Sequence, residues 1–353
     1  MNKRSLTLLA IPLVVALGIL LGFERPSPNT QQVGYRGTGM EQVINPRTYA
    51  KAVSAIKLPD VQPPADPTQK KASQAYQNVK VLGDLSENEF NRVMLAVTEW
   101  VSPEQGCNYC HNPANLAEDS VYTKIVARRM FQMTREINET WKPHVGETGV
   151  TCYTCHAGNP VPKNIWFSTV EEPNPDKMSG YTAGGQNKAN KSVGLTSMIA
   201  DPFTALLNGK EAIRVQGTTA LPQGHVATMQ STEQTYALMI HMSEGLGVNC
   251  TFCHNSRAFG SWSSSTPQRV TSWHGIQMVR ALNGAFLDPL KPVYPEERLG
   301  PNGDSPKAYC TTCHQGWNKP LNGAKMMKDY PELAKASKAA IALPTTPLKR
   351  PAP

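Results

Sequence analysis

Cysteine is scarce in this chain, and none of it is spare. All eight cysteines of the 353 residues fall in four copies of one pattern, Cys-x-x-Cys-His. The copies are Cys107/Cys110/His111, Cys152/Cys155/His156, Cys250/Cys253/His254 and Cys310/Cys313/His314. No cysteine is left for a lipid anchor, and no disulfide is expected, because each would sacrifice a motif. Histidine outside the motifs is nearly as sparse: His144, His225, His241 and His274. A basic surface is missing as well. The formal charge of +8 sits mostly at the ends, +2 in residues 1–25 and +4 in residues 321–353. That leaves +2 for the body, and no support for a nucleic-acid partner.

The motif spacing reads as covalent c-type haem attachment. Residues at i, i+3 and i+4 share one face of a helical turn, so the turn presents two thiols to the porphyrin vinyl groups and an imidazole to the iron. Zinc is the rival reading. Zinc ribbons space their Cys pairs about 15–20 residues apart, whereas successive motifs here start 45, 98 and 60 residues apart. Zinc also gives no reason for a histidine after every second cysteine. The propionates of four haems turn the weakly positive body negative. Because c-type haem is attached outside the bacterial plasma membrane, periplasmic exposure follows.

Lys3 and Arg4 precede an uncharged, mostly apolar run, Leu6–Phe23, of 18 residues. It is at the short end of the membrane-spanning range and longer than a usual signal-peptide core, with no small-x-small cleavage pattern after it. The expectation is a single-span anchor over residues 1–25 with a cytoplasmic N-terminus. Residues 26–80 read as an extended segment leading away from the membrane, 81–165 as a first haem pair and 166–228 as a connection. Residues 229–320 read as a second haem pair and 321–353 as a C-terminal tail, poorly ordered from Lys335. The fold class expected is mainly α with long ordered loops, a multihaem cytochrome c of two pseudo-repeated haem-pair halves plus one N-terminal transmembrane helix.

Each half opens alike. Ser86 and Glu89 form a capping box, with Leu85 and Phe90 as a hydrophobic staple, and the helix runs to about Val101. Ser231 and Gln234 are expected to repeat the device ahead of a helix running to about Glu244. A helix, a glycine turn and then an attachment motif form the repeating unit, which lays the helix across the open haem face. Met94 lies 17 residues before His111 and Met239 lies 15 before His254, so these are the candidate sixth ligands of haems one and three. For haem two, Met130, Met133 and His144 all remain candidates. For haem four no methionine stands in the matching position, although Met278 is on a helix expected from about Ser272 to Phe286.

The chain resembles the tetrahaem cytochrome subunit of purple-bacterial photosynthetic reaction centres from about residue 30 onward. The resemblance is carried by Arg92-Val93-Met94 through Trp100, by Val248-Asn249-Cys250-Thr251-Phe252-Cys253-His254-Asn255 and by Thr266-Pro267-Gln268-Arg269. It implies three His/Met haems, with Met94, Met130 and Met239 as sixth ligands of haems one, two and three, and one His/His haem. In the last, His144 reaches across to haem four, opposite His314. It further implies haems in the order one, two, four, three, with Arg269 near the exit to the membrane. The partners implied are the L and M subunits with their bacteriochlorophyll special pair, and a soluble cytochrome c or high-potential iron–sulfur protein as donor. Many members carry a lipid-modified cysteine after the signal region, which this sequence lacks; the Leu6–Phe23 run would replace it.

Electron transfer on the periplasmic side of the photosynthetic membrane is therefore the expected function. A membrane-anchored multihaem quinol dehydrogenase would rely on histidine-rich, low-potential ligation, and a periplasmic multihaem reductase would need a haem left open to substrate. Thioether ligation raises the potential instead. Around motif one, residues 84–119 contain seven acids (Asp84, Glu87, Glu89, Glu99, Glu104, Glu118, Asp119) and one base, Arg92. They are read either as a solvated face or as a patch that steers a basic carrier.

Overall fold

The structure, a computed structural model, describes residues 3–22, 27–34, 40–169, 189–215 and 228–335, with side chains of the first helix described from residue 10. That helix, α1 (Lys3–Gly22), contains Pro12 and no acidic residue. Its large apolar side chains from Ile11 to Leu21 are exposed on every side. Among the described residues no helix is long and apolar enough to cross a membrane.

Beyond α1 the chain makes a short hairpin, β1 (Asn29–Gln32) antiparallel to β2 (Glu41–Ile44). Next comes α2 (Pro46–Ser54), capped by the Asn45 side chain, which accepts from the Arg47 and Thr48 amides. An extended stretch follows, then α3 (Ala72–Ala75). This leading segment is pinned along its length. The Glu41 carbonyl accepts from the Thr251 hydroxyl at 2.7 Å, and the Tyr49 ring meets Trp317 edge-on at 5.6 Å. The Lys57 carbonyl accepts from Tyr153, and the Gln62 and Pro63 carbonyls accept from Arg92 at 2.9 and 2.7 Å. It thus passes motif three, motif four, motif two and the helix before motif one, in that order.

The helix before motif one, α4 (Glu87–Val101), starts as its sequence expects. The Glu89 amide donates to the Ser86 hydroxyl, and the Ser86 amide donates to the Glu89 carboxylate at 2.7 Å. Its buried face is Arg92, Val93, Ala96 and Trp100, at helical spacing. Leu85 and Phe90 join this core with Leu82, Phe131, Tyr330 and Leu333. Residues 330–333 therefore belong to the core beneath α4: Tyr330 packs edge-on against Trp100 at 4.6 Å. Arg92 stacks over the Tyr330 ring at 4.1 Å and pairs with Glu332 at 2.8 Å.

The remaining helices are α5 (Tyr122–Thr140), α6 (Lys142–Val145), α7 (Cys152–His156), α8 (Met229–Leu246), α9 (Pro267–Leu282) and α10 (Cys310–His314). Two starts differ from expectation. α8 begins at Thr228, not Ser231: the Ser231 amide donates to the Thr228 hydroxyl at 3.1 Å and the Thr228 amide to the Ser231 hydroxyl at 2.7 Å. Ser231 thus takes the answering position of the box and the helix gains most of a turn. α9 begins at Pro267, where a residue without an amide proton loses nothing at the first helical position, and continues past Leu282 as a wide π turn over Asn283–Leu287.

Candidate haem sites

Motifs two and four are single α-helical turns, closed by Ala157 and Gln315 in the left-handed conformation. Motifs one and three are tighter 3-10 turns, over Gly106–Tyr109 and Cys250–Phe252. Every motif histidine has its Nδ1 tied to a backbone carbonyl: His111 to Leu116 (2.8 Å), His156 to Asn159 (2.9 Å), His254 to Phe259 (2.9 Å) and His314 to Trp317 (2.7 Å). A carbonyl at Nδ1 fixes the tautomer and leaves Nε2 as the lone-pair nitrogen, the arrangement that metal-ligating histidines show. His144 has the same support, its Nδ1 donating to the Thr271 carbonyl at 2.9 Å.

His144 also faces a motif. Its ring centre lies 5.9 Å from that of His314, with the planes at 64°. Two imidazoles on opposite sides of one metal, each bonded at about 2 Å, have ring centres roughly 6 Å apart. Burial pushes the His144 imidazole below its ordinary value and that of His314 down to about 4, which favours the neutral, ligating form.

Several bonds recur with their helix residues (Trp100 and Gly245, Arg135 and Arg280, Asn138 and Asn283) 145 positions apart. The Gly158 amide donates to the Trp100 carbonyl and the Gly316 amide to the Gly245 carbonyl, fastening α7 to α4 and α10 to α8. Arg135 Nε donates to the Glu332 carbonyl at 3.1 Å, and Arg280 Nε to the Leu206 carbonyl at 2.7 Å. Asn138 exchanges bonds with the Val150 backbone, and Asn283 does the same with Ala308, each two residues before a motif. In this register Met239 corresponds to Met94, and Met278 to Met133. Met130 corresponds to Gly275.

A cavity of about 950 Å³ runs between motifs one and two, lined by Met94, Cys107 and His111 at one end and by Met130, Cys152 and His156 towards the other. Phe90, Val97, Phe131, Ile137 and Val150 make its walls largely apolar. An apolar space with thiols and an imidazole at its edge fits a covalently held porphyrin. Among the described residues no group of three or more His, Cys, Asp or Glu side chains converges on a metal position. Met133 also reaches this cavity. Met239 is half-buried against the cluster of Phe203, Leu206, Leu238, Ile276 and Val279.

The motif helices α7 and α10 touch. Cys155 and Cys313, the second cysteines of motifs two and four, are joined by a disulfide with their Cα atoms 4.4 Å apart. This departs from the expectation of no disulfide, and the reason is the packing of the two turns, which brings equivalent sulfurs face to face. A sulfur in that bond is not available to a thioether, so covalent loading of both motifs requires it open. Burial raises the Cys110, Cys152 and Cys310 thiols to about 12, so they stay protonated at neutral pH.

Two further buried residues stand near motif four, of which sequence reasoning named His241 without a role and did not single out Gly275. His241, pushed down to about 4 by burial, donates to the Ser192 carbonyl and faces Thr311 of motif four. Its tie resembles a ligand's, but its Nε2 meets a hydroxyl at 3.4 Å. Gly275 is the other, signalled only by being a glycine inside a helix.

This is a largely helical scaffold whose recurring attachment turns define a c-type cytochrome. The family of the photosynthetic reaction centre cytochrome c subunit matches residues 24–334, and the chain belongs to it. It is 53% identical over 332 residues to the reaction centre cytochrome c subunit of Rubrivivax gelatinosus, covering 93% of this chain and 90% of that one. The subunit of Thermochromatium tepidum is 51% identical over 334 residues, 95% and 82% of the two chains, and that of Roseobacter denitrificans 44% over 319 residues, 86% and 85%. The protein is an electron-transfer subunit, not an enzyme.

Proposed function

We propose that the chain holds four covalent haems and returns electrons from a soluble periplasmic carrier to the photo-oxidised special pair seated on the L and M subunits. Bound haem supplies a one-electron iron couple. The cysteine pairs 107/110, 152/155, 250/253 and 310/313 would hold it, with His111, His156, His254 and His314 on one side. Met94, Met130 and Met239 would complete three His/Met sites and His144 the single bis-imidazole site at motif four. The observation that carries this reading is the His144–His314 apposition with both Nδ1 atoms already engaged. Met94 and Met239 gain support from their matched register. The recurring bonds also favour two haem-pair halves related by an approximate two-fold passing near Cys155 and Cys313.

The order one, two, four, three rests on contacts between the motifs: one and two share a cavity, two and four touch, and α10 of motif four packs on α8, which leads into motif three. The proposed membrane attachment through residues 1–25 rests on the exposed apolar side chains from Ile11 to Leu21 and the basic Lys3 and Arg4 before them, not on any helix that qualifies as a span. The haem-bearing body would then lie on the periplasmic side. The donor would dock at the motif-one end. Acidic steering there is weaker than composition suggests, because Asp84 pairs with Arg135, Glu87 with Lys70, and Asp119 with Lys80, Lys124 and Arg128. Glu89 caps α4, and Glu118 accepts from Asn112.

A redox titration of the purified protein with haem counting and low-temperature EPR tests the reading. Four haems, one with a bis-imidazole signature and three thioether-ligated, are expected. Fewer haems, or four bis-imidazole signals, would overturn it.

A further inference from the structure

The strongest unassigned feature is a missing side chain. Gly275 is buried inside α9 with regular helical neighbours, where glycine costs about 1 kcal/mol against alanine. Nothing about its backbone calls for glycine, since its φ is not in the left-handed range. The space around it does. A Cβ at position 275 would lie 2.5 Å from His144 Cε1, 2.8 Å from Nδ1 and 3.1 Å from Nε2. Carbon atoms in contact prefer about 3.5–4.0 Å, so the imidazole occupies the volume that any side chain would need.

The register between halves says which side chain is missing. Arg135 and Asn138 on α5 make the same bonds as Arg280 and Asn283 at α9. Five residues before the arginine stands Met130 on α5 and Gly275 on α9. Two residues before it stand Met133 and Met278; Met278 is a member of a buried cluster against which the half-buried Met133 packs. The helices therefore keep methionine at one of these positions and differ at the other, Met130 lining the cavity of motif two and Gly275 meeting His144. His144 comes from α6, and its Nδ1 is held by Thr271, one turn before Gly275 on the same helix.

We infer that Gly275 is the positioning residue that selects the ligand at motif four: by lacking a side chain it excludes a thioether from α9 and admits His144. The inference rests on the reading of motif four as a His144/His314 site. Replacing Gly275 by a side chain of any size evicts the imidazole, and a methionine there restores the arrangement of motif two.

The test uses the full-length subunit and two spectroscopic readouts, the bis-imidazole EPR signal and the near-infrared thioether-to-iron band. In Gly275→Ala the bis-imidazole signal should be lost while three thioether-ligated haems persist. In Gly275→Met combined with His144→Gly, the thioether band should rise from three equivalents to four, and the lowest-potential component should move up. His144→Gly alone should leave an open haem that takes up added imidazole. A bis-imidazole signal that survives Gly275→Ala overturns the inference. So does a double variant that still binds added imidazole and gains no thioether band. If Gly275→Ala loses haem altogether, the double variant decides, since its cavity has room. Failure of the underlying reading is distinct: it is a wild-type protein whose bis-imidazole signal is absent or unchanged in His144→Gly.

Discussion

Met133 on α5 packs against the buried cluster that contains Met278 on α9, and the two stand at corresponding positions of their helices. Met130 packs against a different cluster, Tyr122, Ile125, Leu290 and Val293, and both methionines line the cavity, so the proposal of Met130 as the ligand is tested by substitution. Met133→Leu is a near volume-conserving change in a core and should cost less than about 1.5 kcal/mol, with all four haem signatures intact. Met130→Leu should remove one thioether band and lower one midpoint potential. The reverse result, with the band lost in Met133→Leu, would make Met133 the ligand.

Arg92 and Glu332 form an ion pair whose side chains are only 6% and 4% exposed. Removing one partner strands a buried charge, at a cost of about 3–5 kcal/mol. Arg92→Met or Glu332→Gln should therefore lower the denaturant midpoint strongly, and the double variant should lose less than the two singles combined. Additive losses would show that the pair is not coupled.

Asp119 ties residues 78–80 to α5. Burial raises its carboxyl, but the hydrogen bonds and charges of Arg128, Lys80 and Lys124 outweigh burial and hold it below the usual carboxylate range. A depressed folded value means that its contribution is complete above the unfolded value of about 3.8 and fades as pH falls through the lower folded value. Asp119→Asn should cost about 1–3 kcal/mol at neutral pH and flatten part of the acid limb of the stability curve. An unaltered acid limb, followed by circular dichroism, would contradict the assignment.

Deleting residues 1–25 behind a cleavable signal should yield a tetrahaem protein that is released from membranes lacking the reaction-centre core. Full retention in such membranes would mean that another surface holds it there.

Glu99 and Glu104 are the acids of the 84–119 stretch with no hydrogen bond or ion pair among the described residues. Reversing both to Lys should slow reduction by a basic cytochrome at low ionic strength, with salt erasing the difference. Reversing Glu87 or Glu89 instead would damage a surface pair or the α4 cap and confuse the two effects. An unchanged rate at low salt points to docking by apolar contact, for which Leu95 (58% exposed) and Leu116 (57% exposed) are available.

What the sequence made legible was local. The attachment turns, the α4 cap with Ser86 and Glu89, and the glycine turns before motifs one and three all depend on residues within a few positions of each other. The start of α8 was misjudged because Thr228 and Ser231 both present hydroxyls at capping distance from the helix, and spacing does not rank them. His144 meeting His314 could be expected only by resemblance, because it is set by α6 docking on α9. Asn138 lies 14 residues before Cys152 and Asn283 lies 27 before Cys310, so their identical bonding has no shared spacing to betray it. Gly275 was invisible for a related reason: its role is the space it leaves to a residue on another helix.

The burial of Tyr330, Glu332 and Leu333 beneath α4 bears on biogenesis. Synthesis and export proceed from the N-terminus, so these residues emerge some 230 positions after the helix they complete. The core beneath α4 cannot close until the chain has been made as far as Leu333. A chain lacking residues 330–333 would therefore leave Trp100 and the Arg92 guanidinium without the partners that cover them.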